Sequence, residues 1–149
     1  MKRLQHENVV RYFGADRQSD AFYILMEYVP GGTLKGIVDD YGAMSPQMTA
    51  DFTRQILQGL EYIHSKCIVH RDIKAVNILI SLEGVAKIGD FGASRNFDTV
   101  TGTCGTPYWM APEVVRGESV SWPSDIWSLG CTVMEMLTQQ LPFSDLGSP

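Results

Sequence analysis

The chain has 149 residues, of which 44% are hydrophobic and 19% charged, which suits one globular domain and excludes a disordered, collagen-like or coiled-coil chain. Its formal net charge is −5, from 12 Lys and Arg against 17 Asp and Glu, so it offers no basic surface to nucleic acid or to an anionic membrane. The longest strongly apolar run, Ala21 to Met26, is too short to cross a bilayer. No secretory signal is visible, and Cys67, Cys104 and Cys131 form an odd, scattered set. These features favour a cytoplasmic location over an exported, disulfide-bonded or zinc-binding protein.

The first third of the chain predicts strands followed by a short helix. Val9 to Phe13 and Ala21 to Val29 are rich in β-branched and aromatic residues, which predicts two consecutive antiparallel strands. Turn-forming and polar residues from Gly14 to Asp20 are expected to connect them, and Pro30-Gly31-Gly32 ends the pattern. A short helix is then predicted near Thr33 to Tyr41, with Thr33 as its N-cap.

Two longer helices are predicted further along. Ser45 followed by Pro46 is typical of a helix start, and apolar residues at spacings of four, four and three continue that helix to about Lys66. The second helix runs from Ser124 to about Gln139, and its apolar residues surround most of its axis. We therefore expect it to be central and covered from several sides.

Short strands are predicted between these helices, at Ile68-Val69, at Ile78 to Ile80 and at Val85 to Ile88. Glu83-Gly84 is the expected turn between the last two.

Three motifs between the helices carry the chemistry. Residues 70–77 read H-R-D-I-K-A-V-N, and Asp90-Phe91-Gly92 begins thirteen residues after Asn77. Ala111-Pro112-Glu113 follows, so three parts of the protein-kinase signature occur in the right order. With these motifs the sequence resembles a eukaryotic protein kinase, and Lys74, two residues after Asp72, resembles the serine/threonine type.

The resemblance implies an α+β, protein-kinase-like fold that is truncated at both ends. Residues 1–149 would form a partial kinase domain, in which residues 1–28 are a two-stranded remnant of the N-lobe sheet and the start of the hinge. Residues 29–149 would form an incomplete, mainly helical C-lobe with the catalytic loop and the activation segment. The sequence contains no G-x-G-x-x-G loop and no V-A-I-K strand, so we expect the 149 residues alone to be inactive.

The resemblance also assigns catalytic roles and cofactors. Asp72 would be the catalytic base that orients the substrate hydroxyl, assisted by Lys74. Asn77 and Asp90 would each hold Mg²⁺ over the phosphates of ATP, and their amide and carboxylate oxygens suit that hard cation.

For the nucleotide, the family pattern makes Met26 the gatekeeper, places Glu27 and Val29 in the hinge and puts Leu79 beneath the purine ring. Thr33 stands near the ribose position, with its role as a helix cap as the alternative.

Regulatory roles follow from the same resemblance. Arg71 would pair with a phosphate on the activation segment, because guanidinium groups bind phosphate oxygens bidentately, and Thr101 and Thr103 are the candidate acceptors. Thr106 is expected to touch Asp72 and Lys74.

Packing and anchoring roles complete the family pattern. Phe91 would stack with Tyr12 and His70 between the lobes, and Asp125 would anchor the backbone at His70 and Arg71. The family's Arg partner for Glu113 is not among the 149 residues.

The segments 90–94, 105–113 and 127–133 resemble the Ste group, and most of all MAP kinase kinase kinases. The function so implied is transfer of the ATP γ-phosphoryl group to a protein hydroxyl in a MAP kinase cascade, with a MAP kinase kinase as a candidate substrate. We expect no nucleic-acid or membrane partner, and the sequence leaves the oligomeric state open. Two alternatives remain: a short, non-catalytic kinase-like binding module or decoy, and a small-molecule phosphotransferase of kinase-like fold.

Overall fold

The N-terminal part of the protein is a β-hairpin whose first strand lies further along the chain, and whose second strand is shorter, than the sequence predicts. A computed structural model describes residues 4–96, 105–118 and 120–144. Strand β1 spans Tyr12–Gln18 and β2 spans Ala21–Met26, paired antiparallel from Tyr12 opposite Met26 to Gln18 opposite Ala21. The expected turn over 14–20 is therefore wrong for most of its length, because pairing with β2 keeps this polar segment extended up to a two-residue turn.

The next two elements are helices whose ends follow their capping residues. Helix α1 spans Leu34–Tyr41, and the Thr33 side chain accepts a hydrogen bond from the Gly36 N–H at 3.0 Å. Helix α2 spans Pro46–Ser65, and Ser45 accepts from the Met48 N–H at 3.3 Å. Both predicted starts are confirmed, because each cap oxygen satisfies a backbone donor that the first turn leaves free.

Short strands follow α2 in two further small sheets. Strand β3, Ile68–Val69, pairs antiparallel with β6, Arg95–Asn96. Strand β4, Ile78–Ile80, pairs antiparallel with β5, Ala86–Ile88.

A 3-10 turn at Ala75–Asn77 directly precedes β4 and another at Phe91–Ala93 follows β5, so both lie at the same end of this antiparallel pair. The motif residues therefore lie beside the ends of very short, paired strands.

The last part of the chain is helical. A 3-10 turn at Pro107–Trp109 leads into α3, Pro112–Val115, and then into α4, Trp122–Thr138. Helix α4 begins two residues before the predicted start, because a reciprocal capping box between Ser121 and Ser124 closes its first turn.

The main core forms where α2 packs against α4 and β5. A Cβ on Gly59 of α2 would lie 2.7 Å from the Asn8 carbonyl oxygen and 2.8 Å from Ile88 Cδ1, so only glycine allows this approach. The core cluster consists of Leu4, Val9, Leu34, Val38, Met44, Ile56, Leu60, Ile63, Ile73, Ala75, Ile78, Ile80, Ala86, Ile88, Leu129 and Met136.

Two elements leave apolar side chains exposed. In β2, Phe22 to Met26 are each at least half exposed. In α4, four large apolar side chains are 40–46% exposed, namely Ile126, Trp127, Met134 and Leu137. The expectation that α4 is covered from several sides is therefore wrong for this face. Its buried face instead carries many polar side chains, including Asp125 and Glu135. Within the described ranges, every helix is too short or too polar to span a membrane.

Candidate active site

The loop that follows β3 is fixed by one buried carboxylate in the first turn of α4. Asp125 has no exposed surface, and its Oδ2 and Oδ1 accept the backbone N–H groups of His70 and Arg71 at 2.9 and 2.8 Å. His64 near the end of α2 adds a third contact, with 2.7 Å between its Nε2 and Asp125 Oδ2. A buried carboxylate without such donors would be strongly destabilising. The three contacts therefore hold the start of the loop against two helices.

Arg71 has a backbone conformation that few non-glycine residues adopt. Its φ of 73° lies in the left-handed region, and the carbonyl oxygen of Arg71 comes so close to Gly105 that a Cβ there would be 2.7 Å away. The guanidinium Nε donates to the Ala93 carbonyl at 2.6 Å. The predicted phosphate acceptors Thr101 and Thr103 lie outside the described residues.

Three polar side chains meet around Asp72. Its Oδ2 lies 2.8 Å from Lys74 Nζ and accepts from Asn77 Nδ2 at 3.0 Å, while its Oδ1 accepts from the Thr106 hydroxyl at 2.8 Å. Lys74 also donates to Thr106, and Asn77 Nδ2 donates to the backbone oxygen of Asp72 at 2.8 Å. The structure thus brings together four side chains that lie up to 34 residues apart in sequence.

These contacts set the charge of Asp72. Burial by itself raises the pKa of this carboxyl, but hydrogen bonds from Lys74, Thr106 and Asn77 outweigh burial and hold the pKa below its usual range. Asp72 is consequently an anion at neutral pH. Such a carboxylate is a hydrogen-bond acceptor that can orient a hydroxyl group.

His70 links this cluster to the strand that precedes Asp90. Its ring is fully buried; Nε2 lies 2.8 Å from the Gly89 carbonyl oxygen, and Nδ1 accepts the Asp72 N–H at 3.3 Å. Burial lowers the pKa of His70, so the neutral ring donates at Nε2 and accepts at Nδ1. Phe91 packs edge-on against the ring with 5.0 Å between centroids, which is the His70–Phe91 part of the expected stack; the part that involves Tyr12 stays a prediction.

Asn77 and Asp90 lie at the same end of the β4–β5 pair. Ile78 is opposite Ile88, and the Gly89 N–H donates to the Asn77 carbonyl at 2.9 Å, which places the residues that flank the two strands side by side. Asp90 is exposed in a left-handed conformation, with its Oδ1 accepting from the Gly92 N–H at 3.2 Å.

This donor set fits Mg²⁺. The Asn77 amide nitrogen is the atom held by Asp72, which directs the amide oxygen away from that carboxylate, and Asp90 adds an exposed carboxylate. Oxygen ligands of this kind, few in number, are typical of Mg²⁺ sites that also use phosphate oxygens. No group of three or more His, Cys, Asp or Glu side chains that could hold a metal occurs in the described part of the chain.

The four predicted nucleotide contacts lie along the connection from β2 to α1 and on β4. Met26 ends β2 half exposed, Val29 is buried, and Leu79 of β4 forms a bridge with Thr33. The carboxylate of Glu27 is already occupied, since it lies 2.9 Å from Lys87 Nζ and accepts from the Arg11 N–H at 3.0 Å. The Glu27 N–H also donates to the Arg11 carbonyl at 2.8 Å, so only the backbone carbonyl of Glu27 is left for a nucleotide.

Glu113 has a partner other than the Arg that the family pattern supplies. Its Oε1 accepts from the Ser124 hydroxyl at 2.9 Å, and that hydroxyl also takes part in the capping box of α4. This contact joins α3 to the start of α4.

Two contacts and one buried carboxyl were missed by the sequence interpretation. His64 completes the partners of Asp125, Lys87 holds Glu27, and Glu135 of α4 is a buried carboxyl whose pKa burial raises. In the sequence each is an ordinary polar residue in an amphipathic helix or strand. The distant partners could be found only from the fold.

The loop that carries Asp72, Lys74 and Asn77 and the residue Asp90 thus lie at one end of the β4–β5 pair, next to two packed helices. Comparison with known proteins identifies the family. Residues 1–148 match the family model described as "Protein kinase domain". The chain therefore belongs to the protein kinase family.

Relatives with curated names place the chain more narrowly. It is 49% identical over 154 residues to mitogen-activated protein kinase kinase kinase 3 of Homo sapiens, covering 97% of this chain and 25% of that protein. It is 47% identical over 150 residues to mitogen-activated protein kinase kinase kinase ANP1 of Arabidopsis thaliana, covering 97% and 22%. It is 43% identical over 152 residues to serine/threonine-protein kinase STE11 of Saccharomyces cerevisiae, covering 97% and 21%. The chain thus spans about a quarter or less of the length of these relatives.

Proposed function

We propose that the natural protein containing this chain is a serine/threonine protein kinase of a MAP kinase cascade that phosphorylates a MAP kinase kinase. The observation that carries the proposal is the cluster in which Asp72 accepts from Lys74, Asn77 and the Thr106 hydroxyl. The names of the relatives support the cascade and the substrate class. The protein kinase family uses ATP and Mg²⁺, and we extend both to this protein.

In this proposal the residues of the chain position the reactants. Asp72 accepts a hydrogen bond from the substrate hydroxyl and orients its oxygen toward the phosphorus atom, and its low pKa makes orientation more important than early removal of the proton. Lys74 lies beside Asp72 and places a positive charge where charge develops on the transferred group. ATP supplies the γ-phosphoryl group, and Mg²⁺ neutralises phosphate charge when bound.

The remaining site residues hold the cofactors. Asn77 and Asp90 provide oxygen ligands for Mg²⁺ at one end of β4–β5. Leu79, Met26, Val29 and the backbone carbonyl of Glu27 provide the surface for adenine. The proposed regulation is phosphorylation of Thr101 or Thr103, whose phosphate would pair with the Arg71 guanidinium group.

The test compares the rate of phosphotransfer by the natural protein with the rate of its Asp72→Asn variant. The protein is incubated with Mg²⁺, ATP labelled at the γ-phosphorus and a MAP kinase kinase, and labelled amino acids are identified after acid hydrolysis. We expect phosphoserine or phosphothreonine, and a loss of about 10²-fold or more in Asp72→Asn, because one orienting acceptor is removed.

Asp51→Asn is the matched control, since Asp51 is an exposed acidic residue on α2, and it should leave the rate unchanged. Equal rates for both variants, or label on tyrosine alone, would contradict the proposal. Nucleotide binding without any transfer would instead support the non-catalytic module.

A further inference from the structure

A second concave surface lies outside the catalytic cluster. It is a groove of about 490 Å³ between the connection that follows β2 and the turn between β4 and β5. We call it the acidic groove, and its residues of interest are Glu7, Glu27, Tyr28, Leu82, Glu83 and Lys87. Asp72, Lys74, Asn77 and Asp90 do not line it. Its volume is within the range of pockets that bind ligands.

The charge of the acidic groove is negative. Three carboxylates face one ammonium group, and that group is already held, with Lys87 Nζ 2.9 Å from Glu27 Oε1 and 2.9 Å from the Glu7 carbonyl oxygen. Hydrogen bonding with Ser81 lowers the pKa of Glu83, so this exposed carboxylate is ionised at neutral pH. The carboxylates of Glu7 and Glu83 are thus the ones left to attract a cation.

The same groove exposes large apolar side chains. Tyr28 is 85% and Leu82 76% exposed, although both border a cavity whose lining includes Val29, Pro30 and Val85. Two exposed apolar side chains at the edges of a cavity are a surface that a partner's apolar side chain can cover. The acidic groove therefore combines anionic groups with apolar contacts within one cavity.

We propose that the acidic groove binds an extended segment of a partner protein that carries Lys or Arg beside large apolar side chains. The basic side chains would pair with Glu7 and Glu83, and an apolar side chain would pack between Tyr28 and Leu82. Nucleic acid and anionic lipid are disfavoured, because their phosphates would meet carboxylates. The proposal does not depend on phosphotransfer, since none of Asp72, Lys74, Asn77 and Asp90 lines the groove. Glu27 and Val29 are shared with the proposed adenine surface, so peptide binding is measured without nucleotide.

The test measures peptide binding to the natural protein, without nucleotide, by fluorescence anisotropy. The probe is a dye-labelled ten-residue peptide with two arginines and two leucines among glycines and serines. Two matched peptides replace the arginines by glutamates or the leucines by serines. We expect the first peptide to bind, and each replacement to weaken binding about fivefold or more, which is the size of one good exposed ion pair or apolar contact.

Variants of residues in the groove then test whether the peptide binds there. Glu83→Lys and Leu82→Ser should each weaken binding of the first peptide about fivefold, and Glu83→Lys should also remove most of its salt dependence. Glu61→Lys is the matched control, because it makes the same charge change at an exposed position of α2 outside the groove. Thermal unfolding of all variants should agree closely, since all changes are on the surface.

Several results would overturn the proposal. These are equal binding of all three peptides, equal weakening by Glu61→Lys, and tighter binding of a labelled single-stranded oligonucleotide than of the first peptide. Self-association of the protein that Leu82→Ser abolishes would also overturn it, because a second copy would then fill the groove. A kinase assay on the same preparation reports separately on the proposed function.

Discussion

At the scale of single residues, the site depends on side chains that hold one another. Asp72 is within hydrogen-bond distance of Lys74, Asn77 and Thr106, and Asp125 has three donors of its own. Burial would otherwise favour the neutral form of Asp72, so the surrounding donors decide its charge.

Removing Lys74 should therefore change the titration of Asp72. Because the folded pKa of Asp72 is depressed, its contribution to stability is present above the unfolded pKa of about 4 and is lost as pH falls through the folded pKa. In Lys74→Met we expect the pKa of Asp72 to rise, so that stability is lost at a higher pH. Carboxyl carbon shifts followed by NMR against pH measure this directly.

Lys35→Met is the control for the loss of a lysine, since Lys35 pairs with Asp39 on the more exposed surface of α1. It should leave the titration of Asp72 unchanged. An unchanged pKa of Asp72 in Lys74→Met would show that Thr106 and Asn77 alone set its charge.

At the scale of elements, helices were predictable where local chemistry determines their ends. Ser45 and Pro46 start α2 in the sequence and in the structure, because cap and first turn are neighbours in the chain. The extent of β1 was not predictable, because Gly14 to Gln18 have a polar, turn-like composition. Only pairing with β2 makes them a strand.

In the site, too, the residues in local motifs could be predicted from the sequence, and most contacts between distant residues could not. The motif at 70–77 and Asp90 identified the cluster in the sequence, and Asp125 and Thr106 followed from the family resemblance. His64, Lys87 and the side-chain contacts of Glu27 could not be predicted, since their partners lie 16 to 80 residues away and follow no periodic pattern.

Two helical glycines should respond to alanine with opposite signs. Gly59→Ala places a Cβ 2.7 Å from the Asn8 carbonyl oxygen, so we expect it to lower the free energy of unfolding by about 1–3 kcal/mol. Gly130 lies in α4, and a Cβ added there would meet nothing within 4 Å, so Gly130→Ala should raise that free energy by about 0.5–1 kcal/mol.

Urea unfolding followed by circular dichroism measures both values. Each alanine gains the same helix propensity, so the difference between the variants isolates the packing at Gly59. Stabilisation by both alanines would show that Asn8 and Ile88 move aside at little cost.

At the scale of the whole molecule, the chain carries the Asp72 cluster but lacks two motifs that bind and neutralise the phosphates of ATP in protein kinases. The 149 residues contain neither a G-x-G-x-x-G loop nor a V-A-I-K strand. They span about a quarter or less of the length of the named relatives.

We expect the 149-residue chain alone to transfer phosphate at least about 10²-fold more slowly than the natural protein, because preorganised charge over the phosphates is a large catalytic contribution. The measurement is the initial rate at equal protein concentration and saturating Mg²⁺ and ATP. The Asp72→Asn form of the natural protein sets the background. A chain as active as the natural protein would show that Lys74 and the bound Mg²⁺ suffice.

The position of Asp125 also has a consequence for synthesis on the ribosome. The carboxylate that fixes His70 and Arg71 is encoded 54 to 55 residues after them. At about 5–20 residues per second, the ribosome needs roughly 3–11 s to make this stretch, during which the loop has been made but its anchor has not. The catalytic geometry therefore forms in a nascent chain only after α4 has emerged, and a stalled ribosome before that point carries an unassembled site.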